Sequence, residues 1–196
     1  GHTGFKGSWL TLWLKKLGSD ITGFSKDIPT TPSLFELSDI KNEIDSILGD
    51  LRNFNDIKNV IHEKKPEIII HMAAQSLVPI SYKNPRETFE TNVMGTVNLL
   101  ESIRSEKNPC IILNITSDKC YENRELTRGY TEEDKIGGYD PYSSSKGCSE
   151  LITTAYRKSF FYSSDNQNNV TLASARAGNV IGGGDWSEDR LVPDIY

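Results

Sequence analysis

Two uninterrupted apolar runs, Ile68-Ile69-Ile70-His71-Met72 and Ile111-Ile112-Leu113-Asn114-Ile115, constrain this chain more than any other feature. A strand with one solvated face alternates apolar and polar residues, whereas an unbroken run suits a parallel strand covered on both sides. Parallel neighbours need a crossover. The residues between the two runs supply one: Pro85 suits the first turn of a helix, and Phe89, Val93, Val97, Leu100 and Ile103 form a seam on one face.

The same order extends in both directions. Trp9, Leu10, Leu12, Trp13, Leu14 and Leu17 recur at helical spacing and stop at Gly18. Ile21 to Ser25 reads as a short strand, and Pro29 and Pro32 hold an extended loop. Ser33 with Glu36 forms a capping box for a brief helix, and Ile44 to Leu48 makes a strand ending at Gly49-Asp50-Leu51. Asn53 caps a helix over Phe54 to Lys64 with Ile57, Val60 and Ile61 on one side, and Pro66 ends it. Downstream, Tyr142 to Phe161 reads as a helix, 163–169 as a polar loop and Val170 to Ser174 as a strand. Strands alternating with helices throughout predict an α/β fold, a doubly wound parallel sheet of Rossmann type.

A chain of 196 residues, 36% hydrophobic, fits one ordinary globular domain. Its formal net charge of −5 provides no positive field for nucleic acid or an anionic membrane surface. The longest apolar runs fall far short of the ~20 residues of a membrane span, and no basic, apolar leader opens the chain. Cys110, Cys120 and Cys148 form no CxxC pair, so neither a disulfide framework nor a cysteine-based metal site is indicated. The expectation is a soluble cytoplasmic protein with reduced thiols and no bound metal.

Three patterns carry chemistry. Gly1-x-x-Gly4-x-x-Gly7, followed by a helix, can bring backbone close to a pyrophosphate and aim a helix N-terminus at its charge. Such a turn normally follows a buried strand, which here would lie upstream of residue 1, so the chain is expected to be a fragment truncated at both ends. Tyr142 and Lys146, four residues apart, share one helix face, and the lysine can make the phenol a usable base near neutrality. That spacing alone is weak evidence. Its position is stronger: the strand at 111–115 delivers Ser117-Asp118-Lys119 at its carboxyl end, and the Tyr142 helix comes next, so both can meet at one sheet edge.

Glycines 1, 4 and 7, Gly49-Asp50-Leu51, His71-Met72-Ala73-Ala74-Gln75, Asn92, Ser117 and Tyr142-x-x-x-Lys146 together resemble the extended short-chain dehydrogenase/reductase superfamily over nearly the whole chain. Within it, Ser117-Asp118-Lys119-Cys120-Tyr121-Glu122-Asn123 and Ala177-Gly178-Asn179-Val180-Ile181-Gly182-Gly183-Gly184-Asp185-Trp186 resemble the nucleotide-sugar 4,6-dehydratases that act on CDP-glucose. Relatives acting on other nucleotide sugars carry Thr-Asp-Glu where this chain has Ser117-Asp118-Lys119.

The resemblance implies an NAD-dependent hydro-lyase of deoxysugar and lipopolysaccharide biosynthesis: transient oxidation at C4 of the hexose, loss of water across C5 and C6, and hydride return to C6. Tyr142 with Lys146 would take the C4 hydroxyl proton, Ser117 would bond the same oxygen, Asp118 would protonate the departing C6 hydroxyl, and Lys119 would stand at the C5 base position. Gly1, Gly4, Phe5, Lys6, Gly7, Ser25, Asp50, Leu51, Ala73, Ala74 and Asn92, with Tyr142 and Lys146, would contact the cofactor. Gln75, Asn179, Arg190 and Val192 would contact the nucleotide sugar. Residues 1–180 would form a dinucleotide-binding domain lacking its first strand, 181–196 the start of a sugar-nucleotide region, and the full-length protein a homodimer.

Other readings stand beside these. Asp118-Lys119 also reads as an exposed ion pair. His71 reads as a packed, hydrogen-bonded histidine with no catalytic role. Asp50 can cap the helix after Asn53 instead of touching adenine. Ser25 and Lys26 can hold a 2′-phosphate, which would make the cofactor NADP. A 4-epimerase would use the same Ser, Tyr and Lys without Asp118 and Lys119, and a dinucleotide-sensing regulator would need no reactive tyrosine.

Overall fold

The two apolar runs pair as neighbours. In the computed structural model, which describes residues 1–162 and 169–195, β3 (Ile68–His71) lies parallel to β4 (Cys110–Ile115), with Ile70 opposite Leu113 and His71 opposite Asn114. β5 (Val170–Ala175) continues that sheet, parallel to β4, in the order β3-β4-β5. A second, two-stranded parallel sheet pairs β1 (Thr22–Ser25) with β2 (Asp45–Leu48). The sheets belong to two compact units, Gly1–Leu51 with Asn179–Tyr196, and Arg52–Gly178. Each is parallel with helices between its strands, the α/β organisation expected. The segment from Asn179 on, which includes the stretch 181–196 expected to open a sugar-nucleotide region, belongs with residues 1–51.

In the first unit, α1 (Phe5–Lys16) buries Gly7, Ser8 and Thr11, while Trp9, Trp13 and Leu17 are exposed. The periodic apolar residues therefore mark the helix but not its buried face. Small residues line that face because the chain approaches closely there: a Cβ on Gly7 would lie 2.0 Å from the Gly1 carbonyl oxygen. The His2 ring is buried against the edge of Phe35 and reaches Ser46 Oγ at 2.8 Å and Ser25 Oγ at 3.1 Å. α2 (Leu34–Leu37) starts at Ser33, whose hydroxyl accepts from the Glu36 N–H at 3.2 Å and donates to the Glu36 carboxylate at 2.8 Å, the capping box expected there. At Gly184 the backbone turns with φ +84°, and a Cβ would press on Leu34 at 3.0 Å. Glycine at 184 is thus required by the fold itself.

In the second unit, α3 (Phe54–Lys64) packs on α6 (Gly95–Glu106) and buries Ile57, Ile61, Leu99, Leu100 and Ile103. Each such side chain contributes about 1.5–3 kcal/mol through burial. Asn53 caps α3 by accepting the Asn55 N–H at 3.0 Å, so the cap that Asp50 could have supplied comes from Asn53. The long helix expected from Pro85 is segmented into α5 (Pro85–Phe89), a π-helical turn (Glu90–Met94) and α6. A short helix with no apolar signature, α4 (Val78–Lys83), precedes it. α7 (Pro141–Tyr156) continues into a second π turn (Arg157–Phe161) and packs on β5. The double cover expected of the apolar strands is met in part, since Ile68 and Ile111 are exposed. The polar loop expected at 163–169 lies outside the described residues up to 168.

His71 closes β3 inside this unit, buried, with Nε2 at 3.2 Å from Thr96 Oγ1. Thr96 gives its own proton to the Asn92 carbonyl at 2.7 Å, so the imidazole N–H is the donor to Thr96. Burial, reinforced by the Lys146 charge, pushes the His71 pKa down to about 3. The unfolded chain takes up a proton near pH 6.5 that the folded chain refuses, so stability falls as pH drops from about 6.5 towards 3, by about 2 kcal/mol at pH 5. Urea unfolding of the intact protein and of His71→Asn at pH 7 and pH 5 checks this. The wild type should lose about 2 kcal/mol more than the variant over that interval; equal losses would contradict a neutral buried His71.

Candidate active site

The second unit brings a serine, a tyrosine and a lysine to one strand end. β4 carries the chain to Thr116 and Ser117, then into a 3₁₀ turn at Asp118–Cys120. Ser117 is buried, and its hydroxyl caps that turn, accepting the Lys119 N–H at 3.2 Å and donating to Asp118 Oδ1 at 3.1 Å. Asp118 and Lys119 are exposed beside it. The edge is pinned to β5 by the Thr116 N–H donating to Ala175 at 2.9 Å and the Asp118 N–H to Ala177 at 3.1 Å.

α7 presents the other half. Asp140 is its N-cap, accepting the Ser143 N–H at 2.9 Å, and Pro141 fills the first helical position. Tyr142 and Lys146 are both buried, and Lys146 Nζ donates to the Ile115 carbonyl at 3.4 Å, immediately before Thr116 and Ser117. The ammonium therefore sits between the phenol-bearing turn of α7 and the serine-bearing end of β4.

Two residues expected at the ligands, Asn92 and Gln75, make hydrogen bonds within the protein. Asn92, buried in the π turn, accepts the Gln75 N–H at 2.8 Å and donates to the Gln75 carbonyl at 2.9 Å and Ser145 Oγ at 2.9 Å. It ties the loop after β3, with Ala73 and Ala74, to α7, because the π turn aims its amide inward. The Gln75 side chain donates to the Leu77 carbonyl at 3.1 Å and Thr88 Oγ1 at 3.0 Å and accepts the Leu77 N–H at 2.6 Å, so its amide is closed on its own turn. These two residues position the loop.

The first unit holds the glycine turn. Gly4 is the N-cap of α1, whose first turn has no acidic residue and no side-chain cap. A Cβ on Gly4 would meet nothing nearer than 3.7 Å, so the fold does not itself require glycine there, in contrast to Gly7. The space over Gly4, with uncapped helical N–H groups, suits a pyrophosphate. Burial lowers the pKa of Lys6, and the Arg190 charge adds to this against the pull of Asp185. Ser25, expected beside the cofactor, is buried and accepts the Thr3 N–H at 3.3 Å, so it supports the turn from beneath. Leu51 is buried, whereas Asn179 and Val192 are exposed.

Two residues that the pattern reading overlooked are Glu150 and Arg176. Their ion pair, at 3.1 Å, joins a buried glutamate to a half-buried arginine, with the side chains 3% and 15% exposed. The signal was present: Tyr142, Lys146 and Glu150 are spaced by four along α7 and share its buried face. No group of three or more histidine, cysteine or acidic side chains among the described residues can hold a metal ion, and no described helix is long and apolar enough to cross a membrane.

Known proteins place this geometry. The chain is 57% identical, over all its 196 residues and 55% of the relative, to CDP-glucose 4,6-dehydratase of Salmonella typhimurium. It is 33% identical to CDP-paratose 2-epimerase of Salmonella typhi over 82% of this chain and 52% of that protein. A solved dTDP-glucose 4,6-dehydratase of Bacillus anthracis, in complex with NAD, superimposes with a TM-score of 0.78 at 27% identity, over 100% of this chain and 58% of that one. The Streptomyces venezuelae dTDP-glucose 4,6-dehydratase DesIV shares the fold with a TM-score of 0.82 at 21% identity, over 98% and 58%. The chain thus spans about half the length of the relatives it matches. The GDP-mannose 4,6 dehydratase model matches residues 1–179, and the chain belongs to that family.

Proposed function

We propose that the intact protein converts CDP-glucose to CDP-4-dehydro-6-deoxyglucose, as an NAD-dependent 4,6-dehydratase. One observation supports this reading: Lys146, one turn along α7 from Tyr142, bonds the Ile115 carbonyl, two residues before Ser117. The identity to the CDP-glucose enzyme supports the choice of nucleotide.

Elimination of the C6 hydroxyl requires an acidic C5 proton, and a ketone at C4 provides it. NAD, when bound, supplies reversible hydride acceptance. Tyr142, its phenolate favoured by Lys146, removes the C4 hydroxyl proton, and Ser117 hydrogen-bonds the same oxygen. Exposed Asp118 protonates the leaving C6 hydroxyl. Lys119 stands where relatives place a carboxylate; as the neutral amine it takes the C5 proton and gives it back to C5 once hydride has reached C6. The open space over Gly4 receives the pyrophosphate, and Lys6 adds a positive charge. Asp50 and Leu51 contact the adenine end, and the Ala73-Ala74 backbone borders the cofactor. Ser25 is buried, with its hydroxyl against the Thr3 N–H and His2 Nδ1, so it is poorly placed to receive a 2′-phosphate, which supports NAD. Asn179, Arg190 and Val192 contact the nucleotide sugar. We place the protein in the cytoplasm, as a homodimer joined through the exposed apolar residues Met94, Leu151 and Phe160.

Incubating the intact protein with CDP-glucose and NAD should yield the 4-keto-6-deoxy sugar; unchanged CDP-glucose would refute the reading. Gly4→Ala should weaken NAD binding by at least about 10-fold in calorimetry. Its melting temperature should stay within about 4 °C of wild type, because the added methyl comes no nearer than 3.7 Å to any protein atom. Undiminished affinity would remove the glycine turn from the cofactor site. Changing Asp118 to Asn together with Lys119 to Ala should cut the dehydration rate by about 10²–10⁴-fold and leave affinity for CDP-glucose within about 3-fold. Formation of 6-deoxy product at the wild-type rate would take both residues out of the elimination.

A further inference from the structure

Glu150 lies on α7 one turn beyond Lys146 and two beyond Tyr142, on the same buried face. It is a carboxylate at 3% exposure with three donors around it, and these come from both strand ends. Thr116 Oγ1 donates to Oε1, and Thr116 is the residue immediately before Ser117. Ser174 Oγ at 2.9 Å and Arg176 Nη2 at 3.1 Å donate to Oε2 from the end of β5. Burial pushes this carboxyl up, but the Arg176, Thr116 and Ser174 hydrogen bonds outweigh it and hold its pKa below the ordinary value.

Arg176 extends the connection to the turn that follows Ser117. Its guanidinium lies 4.8 Å from the centre of the Tyr121 ring, and Tyr121 comes directly after the Asp118–Cys120 turn. The next residue, Ala177, accepts the Asp118 N–H at 3.1 Å. One ion pair thus reaches the residue before Ser117, the residue after Cys120 and, through the backbone, Asp118 itself. An apolar pair would fill the same volume without the several kcal/mol that desolvating two charges costs. It would not specify the separation of three elements, because directional bonds do that and dispersion contacts do not.

Resting on the dehydratase reading above, we propose that the Glu150–Arg176 pair is a positioning device that fixes the Ser117–Lys119 edge against the helix bearing Tyr142 and Lys146. It sets the distance between the groups that oxidise C4 and the groups that eliminate the C6 hydroxyl. Neither residue is catalytic; both act through Thr116, Tyr121 and Ala177.

Arg176→Lys keeps the charge beside Glu150 and loses the planar fork and the ring contact. Glu150→Gln/Arg176→Gln removes both charges and keeps hydrogen-bonding capacity, so neither variant leaves an unpaired buried ion. Each should lower kcat for CDP-glucose by about 10- to 100-fold, the effect of a misplacement near 1 Å, with KM within about 3-fold of wild type. Amide exchange at Asp118 should accelerate by at least about 10-fold, while exchange at Ile112 in the middle of β4 stays unchanged. Wild-type kcat in both folded variants would overturn the proposal. So would unchanged Asp118 exchange, or failure of both variants to fold, which would reduce the pair to a stability element. Wild-type protein inert towards CDP-glucose would refute the dehydratase reading alone, because the exchange comparison needs no substrate.

Discussion

The seating of α7 on the carboxyl half of β4 is the interaction on which the rest of the second unit depends. It is made by polar groups. Asn114, the one polar member of an apolar strand, is buried and donates to Ser149 Oγ at 3.0 Å and Thr153 Oγ1 at 2.8 Å. Lys146 donates to Ile115, and Thr116 to Glu150. Hydrogen bonds in a low-dielectric interior demand particular distances and angles, so this row sets the register of helix on strand as well as their contact. Because Tyr142 and Ser117 lie at the ends of the two elements so registered, the same row sets how these two ends stand to one another.

The loop after β3 is held by a continuation of that logic. Asn92 closes two bonds on Gln75 and one on Ser145, and Thr96 links Asn92, His71 and Ser149. The network joins three segments through side chains that are almost wholly buried. A buried polar group left unpaired costs roughly 1–3 kcal/mol, so partial disruption is penalised more than the loss of any single bond suggests. The π turn at Glu90–Met94 is part of this arrangement, since it directs the Asn92 amide at the loop while α6 continues beyond.

Much of the fold was legible in the sequence because apolar runs and caps report directly on strands and helix starts. Ile68–His71 and Cys110–Ile115 became parallel neighbours, and Ser33 and Asn53 cap their helices. What was not legible lay where burial is polar. Hydrophobic periodicity indicates which side of a helix avoids water, yet α1 buries Gly7, Ser8 and Thr11 and exposes two tryptophans, and α7 buries Lys146 and Glu150. Gln75, Asn92 and Ser25 were recognisable as motif residues, but only the folded chain shows their hydrogen bonds closing on neighbouring backbone and hydroxyl groups. Motif membership marked the right neighbourhood; the role of each member depended on partners distant in sequence.

The central claim is that one set of residues oxidises C4, eliminates across C5 and C6, and restores the cofactor within a single turnover. CDP-glucose carrying deuterium at C4 tests it directly in the intact protein with unlabelled NAD. The account predicts 4-keto-6-deoxy product with the deuterium at C6, delivered within the molecule that lost it. Product lacking deuterium at C6, or a 4-epimer without loss of the C6 hydroxyl, would contradict it.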